Sequence, residues 1–269
     1  VIKPPDNFKA YDAGAYIAEI YDQFEIQRED VALLRELIAN DKPLKILEPF
    51  CGNGRILIPM AEDGHAITGI DKSPPMLASL HEKLNKLPDT IRKRAKIRQA
   101  NVLTAAWPKG FDVVILGGNC LYELATPEEQ EACIRKARGS LESGGYLYLD
   151  NNHMEGELSP LWRRPGIKEA FPTGICADGT KVQGSTEVIW YDAEKRIARY
   201  NRTVTINTPD GRTMKKAWTE QCHAPSTAEM QGWLKKYGFK VEKLWGGRDK
   251  SLYTEQSERA VFWVILEVQ

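Results

Sequence analysis

No apolar run in this chain approaches the roughly 18 residues that a membrane-crossing helix requires. The longest late run, Ala260–Leu266, has the length of a buried strand. The opening residues Val1-Ile2-Lys3-Pro4-Pro5 show no basic-then-apolar leader pattern. Net charge is also missing: 37 Lys and Arg balance 37 Asp and Glu. That balance removes the general basic footprint of a nucleic-acid binder. Cysteine is sparse and unpatterned. Five residues (Cys51, Cys120, Cys133, Cys176, Cys222) without C-x-x-C spacing fit reduced thiols in a cytoplasm better than a disulfide framework. The four histidines lie far apart, so no clustered ligand set for a metal is expected. Neither an internal repeat nor a low-complexity tract is present.

What remains is a soluble globular composition, 42% hydrophobic and 28% charged. At 269 residues the chain can bury a large core without disulfide staples. Its first 155 residues alternate strand and helix signals. Glu29–Asn40 places Val31, Leu34, Leu37 and Ile38 on one helical face. Leu44–Leu47 reads as a strand, Gly54–Glu62 as a helix, and Ala66–Ile70 as the second strand. Ser73 then offers an N-cap with Pro74 at the first helical position. A third strand surrounds Ile97, and a fourth is Asp112–Leu116. Thr126-Pro127 opens a helix whose early glutamates suit its dipole, and Tyr146–Asp150 is the fifth strand. Such alternation predicts a parallel sheet covered on both faces.

The pattern then changes. Residues 156–180 are rich in Gly and Pro and read as loop. Glu187–Tyr191, Arg196–Asn207 and Arg212–Gln221 read as antiparallel strands, with a hairpin turn at Pro209-Asp210-Gly211. Ser226 caps a helix that Gly238 ends, and Phe239–Leu244 and Ala260–Val268 are the last two strands.

The chemistry centres on Glu48-Pro49-Phe50-Cys51-Gly52-Asn53-Gly54, between the first strand and the next helix. Glycines there let backbone approach a ligand at a helix N-terminus. The dinucleotide fingerprint needs a small residue three positions after the second glycine; Leu57 stands there and disfavours a nicotinamide cofactor. Asp71 ends the next strand, where an acid can accept both ribose hydroxyls of an adenosine. Glu48, before the glycines, suits a ligand that carries an ammonium group.

With Ile70-Asp71-Lys72-Ser73, Gln99-Ala100-Asn101, Gly117-Gly118-Asn119 and Gly144-Gly145 in this order, the chain resembles the class I S-adenosylmethionine-dependent methyltransferases, and within them glycine N-methyltransferase. The resemblance implies an α/β fold: a doubly wound, mostly parallel seven-stranded Rossmann-like sheet with a small inserted antiparallel β subdomain. Residues 1–155 would be the cofactor core with an N-terminal lid. Residues 156–225 would cover the substrate side, and residues 226–269 would complete the core sheet. The implied cofactor is S-adenosyl-L-methionine, released as S-adenosyl-L-homocysteine. Asp71 would hold the ribose, Met76 would pack on the adenine, and Asn101 and the Val102 N–H would read its edge. Phe50 and Gly117 would contact the methionine moiety through backbone groups, and Gly52 and Gly54 would belong to the cofactor-binding bend. Arg28 would pair with the methionine carboxylate, and Tyr11 and Tyr21 would close over the sulfonium end. The resemblance leaves a homo-oligomer open.

On the acceptor side, Glu123 and His153 follow parallel strands and are candidate bases. Asn119 keeps a substrate-side Asn of the resembled family. Asn152 stands where the glycine enzymes carry an arginine for the substrate carboxylate, and Glu123 where they carry a histidine. A lost cation and an added anion would repel a carboxylate, so a small-molecule amine other than glycine is expected as acceptor. Arg163-Arg164 could restore a clamp. Trp190, Tyr200, Trp218, Glu220, Gln221 and His223 could reach the cleft from the antiparallel unit. Three other readings stay open at this point: a hydroxyl-directed enzyme, a nucleic-acid base methyltransferase, and a non-catalytic cofactor-binding protein. The second lacks an Asn/Asp-Pro-Pro-aromatic motif after the fourth strand.

Overall fold

The computed structural model describes residues 14–24, 28–39, 42–152, 155–170 and 172–267. Two helices, α1 (Ala15–Phe24) and α2 (Glu29–Leu37), precede β1 (Lys45–Pro49). From Ile46 onward β1 is buried, as a strand covered on both faces requires. Then follow α3 (Leu57–Glu62), β2 (Ala66–Asp71), α4 (Pro74–Asn85), α5 (Asp89–Arg92), β3 (Ala95–Gln99) and β4 (Phe111–Leu116). A 3-10 turn at Cys120–Glu123 leads to α6 (Pro127–Ser140) and β5 (Leu141–Asn152). Thr126 Oγ1 caps α6 by accepting from the Glu129 N–H at 3.3 Å. Next come α7 (Pro160–Arg163), β6 (Lys168–Glu169), β7 (Thr173–Ile175), β8 (Lys181–Asp192), β9 (Ile197–Asn207) and β10 (Thr213–His223). The chain closes with α8 (Thr227–Lys236), β11 (Phe239–Trp245) and β12 (Arg259–Leu266).

Seven strands form the main sheet in the order β11-β12-β5-β4-β1-β2-β3. β1 through β5 pair in parallel, while β12 runs antiparallel to both β5 and β11. Two apolar layers cover its faces, one under α6 and α8, the other under α2, α3 and α4. The doubly wound, mostly parallel Rossmann-like sheet expected from the sequence is therefore present, with a separate antiparallel sheet ordered β10-β9-β8-β6 and β7 paired to β8. The order of strand addition reverses between β1, from which the chain moves outward to β2 and β3, and β4, from which it moves the other way to β5. That switch point opens a crevice at the carboxyl ends of the strands. Among the described residues no helix is long and apolar enough to cross a membrane.

Three elements depart from the sequence expectation. The helix after the glycine bend starts at Leu57 rather than Gly54, because Gly54 sits at φ +87°, outside helical geometry. β8 begins at Lys181 rather than Glu187. Its inward positions there are Val182, Gly184 and Thr186, too mixed to show an apolar alternation. The span read as loop holds α7 and the short strands β6 and β7.

Candidate functional site

A cleft of about 1130 Å³ opens over the carboxyl ends of β1, β2 and β4 and runs beneath the antiparallel sheet. Tyr21, Glu48, Phe50, Gly52, Asp71, Met76, Asn101, Val102, Gly117, Asn119, Glu123 and Asn152 all line it. These residues come from eight separate stretches of chain, and the fold brings them to one crevice. Two predicted residues stand apart. Gly54 lies behind the bend, where an added Cβ would come within 2.3 Å of Leu80 Cδ1, so its role is close packing. Arg28 is exposed just before α2 and is not among the lining residues. Tyr11 and His153 lie outside the described residues.

The bend itself is held by Asp71. One carboxylate oxygen accepts from the Gly52 N–H at 2.9 Å, and the other accepts from the Ser73 N–H at 2.8 Å. Phe50 and Gly52 both take positive φ, which turns the backbone sharply out of β1. Met76 approaches Gly52 from α4, and a Cβ on Gly52 would touch its Cε at 3.9 Å. Glu48 is buried at the end of β1, and its Oε2 has no hydrogen-bond partner. Burial pushes its pKa well above the ordinary value, against the opposing pull of Arg55. Asn101 Oδ1 accepts from the Leu103 N–H at 2.8 Å, which fixes the loop that carries Val102.

The floor between the two halves is a charged network that sequence reasoning did not find. Arg55, just after the glycine bend, donates to the fully buried Asp30 of α2 at 2.7 Å. Arg248 and Arg259 both pair with the fully buried Asp150 of β5, at 2.8 and 2.7 Å. Arg259 also donates to Asn152 Oδ1 at 2.9 Å and to Asn119 Oδ1 at 3.3 Å. Asn119, at φ +63°, accepts from the Asn152 N–H at 2.7 Å. The two predicted substrate asparagines are therefore locked to each other.

Rings and carboxylates build the far half. Tyr122 meets Trp162 edge-on at 5.6 Å, and Trp162 meets Tyr200 edge-on at 5.9 Å. The Tyr122 hydroxyl donates to the Asn152 carbonyl at 2.6 Å, and burial raises its pKa. Among the described residues Glu123, Glu129, Glu169 and Glu220 line this half together with Arg202, which is paired with Glu220 at 2.6 Å. Of the residues proposed to reach in from the antiparallel unit, Tyr200 and Glu220 do. Trp218 donates to Glu220 Oε1 at 2.9 Å, while Trp190 lies exposed against Arg199. Gln221 and His223 face the opposite way, toward Ala125 and Gln130. Neither Arg163 nor Arg164 lines the cleft; Arg163 donates to the Leu158 carbonyl at 2.7 Å and pairs with Glu157. Among the described residues no cluster could hold a metal ion.

Residues 46–145 match a family described as a methyltransferase domain. Residues 46–145 thus carry a methyltransferase domain, and the comparisons support one of class I that uses S-adenosylmethionine. Over 171 residues it is 27% identical to glycine N-methyltransferase of Rattus norvegicus, a match covering 60% of this chain and 57% of the relative. The match thus spans little more than half of that relative's length. In fold, 95% of the chain matches 99% of the CcbJ methyltransferase from Streptomyces caelestis, with TM-score 0.69 and 19% identity. It also matches CalS10, an amino pentose methyltransferase from Micromonospora echinaspora solved with S-adenosylmethionine bound. There the TM-score is 0.63 and the identity 17%, over 96% of this chain and 97% of the other. The methyltransferase domain fits S-adenosylmethionine as cofactor. The buried Glu48 Oε2, without a hydrogen-bond partner, is of a kind to accept from the cofactor's ammonium group, and Gly52 and Gly117 line the same cleft.

Proposed function

We propose that this protein transfers the methyl group of S-adenosylmethionine to an amine nitrogen of a small molecule other than glycine. The observation that carries the reading is the charge of the acceptor half: among the described residues four glutamates line it, and the cation beside them, Arg202, is paired with Glu220, while Arg55, near the glycine bend, is paired with Asp30. Among the described residues a free carboxylate entering there meets mainly carboxylates, whereas an amine finds acceptors. A sugar N-methyltransferase and a glycopeptide N-methyltransferase of like fold agree with nitrogen as the methyl acceptor.

When bound, the sulfonium supplies an already activated methyl group, so the protein's task is placement. Asp71 would accept the ribose hydroxyls, Met76 would pack on the adenine, and Asn101 with the Val102 N–H would read its edge. Glu48 faces the ammonium, with Phe50, Gly52 and Gly117 offering backbone groups nearby. Tyr21 lines the cleft, and with Tyr11 and Arg28 it would form the N-terminal lid over the methionine end, as the resemblance implies. Asn119 and Asn152 orient the acceptor, and Glu123, with His153 as the other candidate, takes the proton that the amine must lose.

A panel of amines, phenols and carboxylates assayed for S-adenosylhomocysteine release tests this reading. Amines should turn over and glycine should be poor. Glu123→Gln should lower kcat by roughly 10²-fold, the scale of general-base assistance, while cofactor affinity changes much less. Efficient sarcosine formation would overturn the carboxylate argument, and equal turnover across pH 6–9 would remove Glu123 as base.

A further inference from the structure

The mouth of the acceptor half is apolar in a way that a small polar amine does not require. Leu161 and Ile167 both line the cleft, yet they are 42% and 36% exposed. They flank the Trp162 ring, and all three come from one short stretch, α7 and the turn after it. Trp162 is held edge-on by Tyr122 below and Tyr200 above, so its position is set by the two walls of the cleft. The one lining cation nearby, Arg202, lies against the Tyr200 ring and is tied to Glu220 and Thr186. Arg163, in the same stretch, is directed to Leu158 and Glu157 instead. Leu161, Trp162 and Ile167 therefore give the cleft lining an apolar surface, two of them open to solvent, alongside the carboxylate of Glu169. Large aliphatic side chains left wet at a cleft mouth gain free energy only when an apolar partner covers them.

Resting on the methyltransferase reading above, we propose that the acceptor is an amine carrying an aromatic or long alkyl body. Its nitrogen enters toward Asn119 and Glu123, and its body lies across Trp162, Leu161 and Ile167. The ammonium form is attracted by the glutamates. Its neutral form, after loss of one proton, then forms the N–C bond as the C–S bond breaks and the sulfur keeps that electron pair.

The test uses the full chain saturated with S-adenosylhomocysteine and titrated by calorimetry with ethylamine, hexylamine, phenethylamine and glucosamine. Hexylamine and phenethylamine should bind at least roughly tenfold more tightly than ethylamine, through burial of their added carbons. Leu161→Gln and Ile167→Gln, both at exposed positions and checked by thermal melting, should each shrink that gap by about threefold or more. A gap below twofold, glucosamine binding as tightly as phenethylamine, or a gap unmoved by both variants overturns the proposal while leaving the cofactor reading intact. Failure of S-adenosylhomocysteine itself to bind overturns both.

Discussion

Arg259 Nη1 donates to Asn152 Oδ1 at 2.9 Å, across the antiparallel pair in which Arg259 and Asn152 stand directly opposite. The same guanidinium holds the buried Asp150 at 2.7 Å. A positive group is thus present beside the position where the resembled enzymes carry a substrate-binding arginine, but it lies outside the cleft lining and is already paired. Arg259→Met should leave Asp150 to Arg248 alone and remove the guanidinium's bonds to both asparagines, which keep their bond to each other. We expect a loss of about 3 kcal/mol in unfolding free energy, read from urea denaturation. kcat should fall more than cofactor affinity.

Asp71→Ala should weaken S-adenosylhomocysteine binding by about 1–3 kcal/mol. Two losses combine: the acceptors for the ribose hydroxyls, and the bonds that hold Gly52 and Ser73 in place. Calorimetry on the two proteins decides this, and an unchanged affinity would remove the ribose assignment.

Glu48 links pH to both stability and binding. Burial raises its folded-state pKa above the ordinary 4.5, so the folded protein holds this proton more tightly than the unfolded chain does. The sign follows: this group lowers stability progressively as pH rises above about 4.5. Glu48→Gln should therefore stabilise the cofactor-free protein at pH 7, read as a higher urea midpoint than that of the parent. It should also weaken binding of S-adenosylmethionine. In the parent protein an ammonium arriving beside Glu48 favours its ionised form, so binding should release protons. Calorimetry in buffers of differing ionisation enthalpy measures that release.

His223 works in the opposite sense. Its side chain is 2% exposed and its Nδ1 lies 2.7 Å from Gln130 Oε1. Burial, with Arg196 adding to it, lowers its pKa from 6.5 to about 4. Between those values the unfolded chain takes up a proton that the folded protein refuses. Stability is therefore fully present above pH 6.5 and is lost as pH falls toward 4, by about 3 kcal/mol for this group. Glu229, 3.4 Å away with a pKa raised by burial, titrates in the contrary direction at the low end. Comparing urea midpoints of the parent with His223→Gln across pH 4–7 isolates the histidine, and parallel curves would reject its role.

The cofactor half was legible because its signals are local. Glu48, Gly52 and Asp71 sit at strand ends within one β-α-β unit, and the order of strands carries them to the crevice. The network beneath it was not legible. Arg55 and Asp30 are 25 residues apart, Arg248 and Asp150 are 98 apart, and Arg259 and Asp150 are 109 apart. Each of these reads alone as a solvated charge. Trp162 was hidden in a stretch whose Gly and Pro content masks α7. Arg28 shows the converse limit. Its order along the chain points to a ligand, yet the residue that α2 sends inward is Asp30, which meets Arg55.

The insertion of β12 between β5 and β11 has a consequence for biosynthesis. A nascent polypeptide that has not yet reached residue 259 presents β5 with an open edge and Asp150 lacking one of its two arginines. A premature stop upstream of Arg259 would therefore yield an aggregation-prone product, through unpaired backbone on the flank of an otherwise completed parallel array.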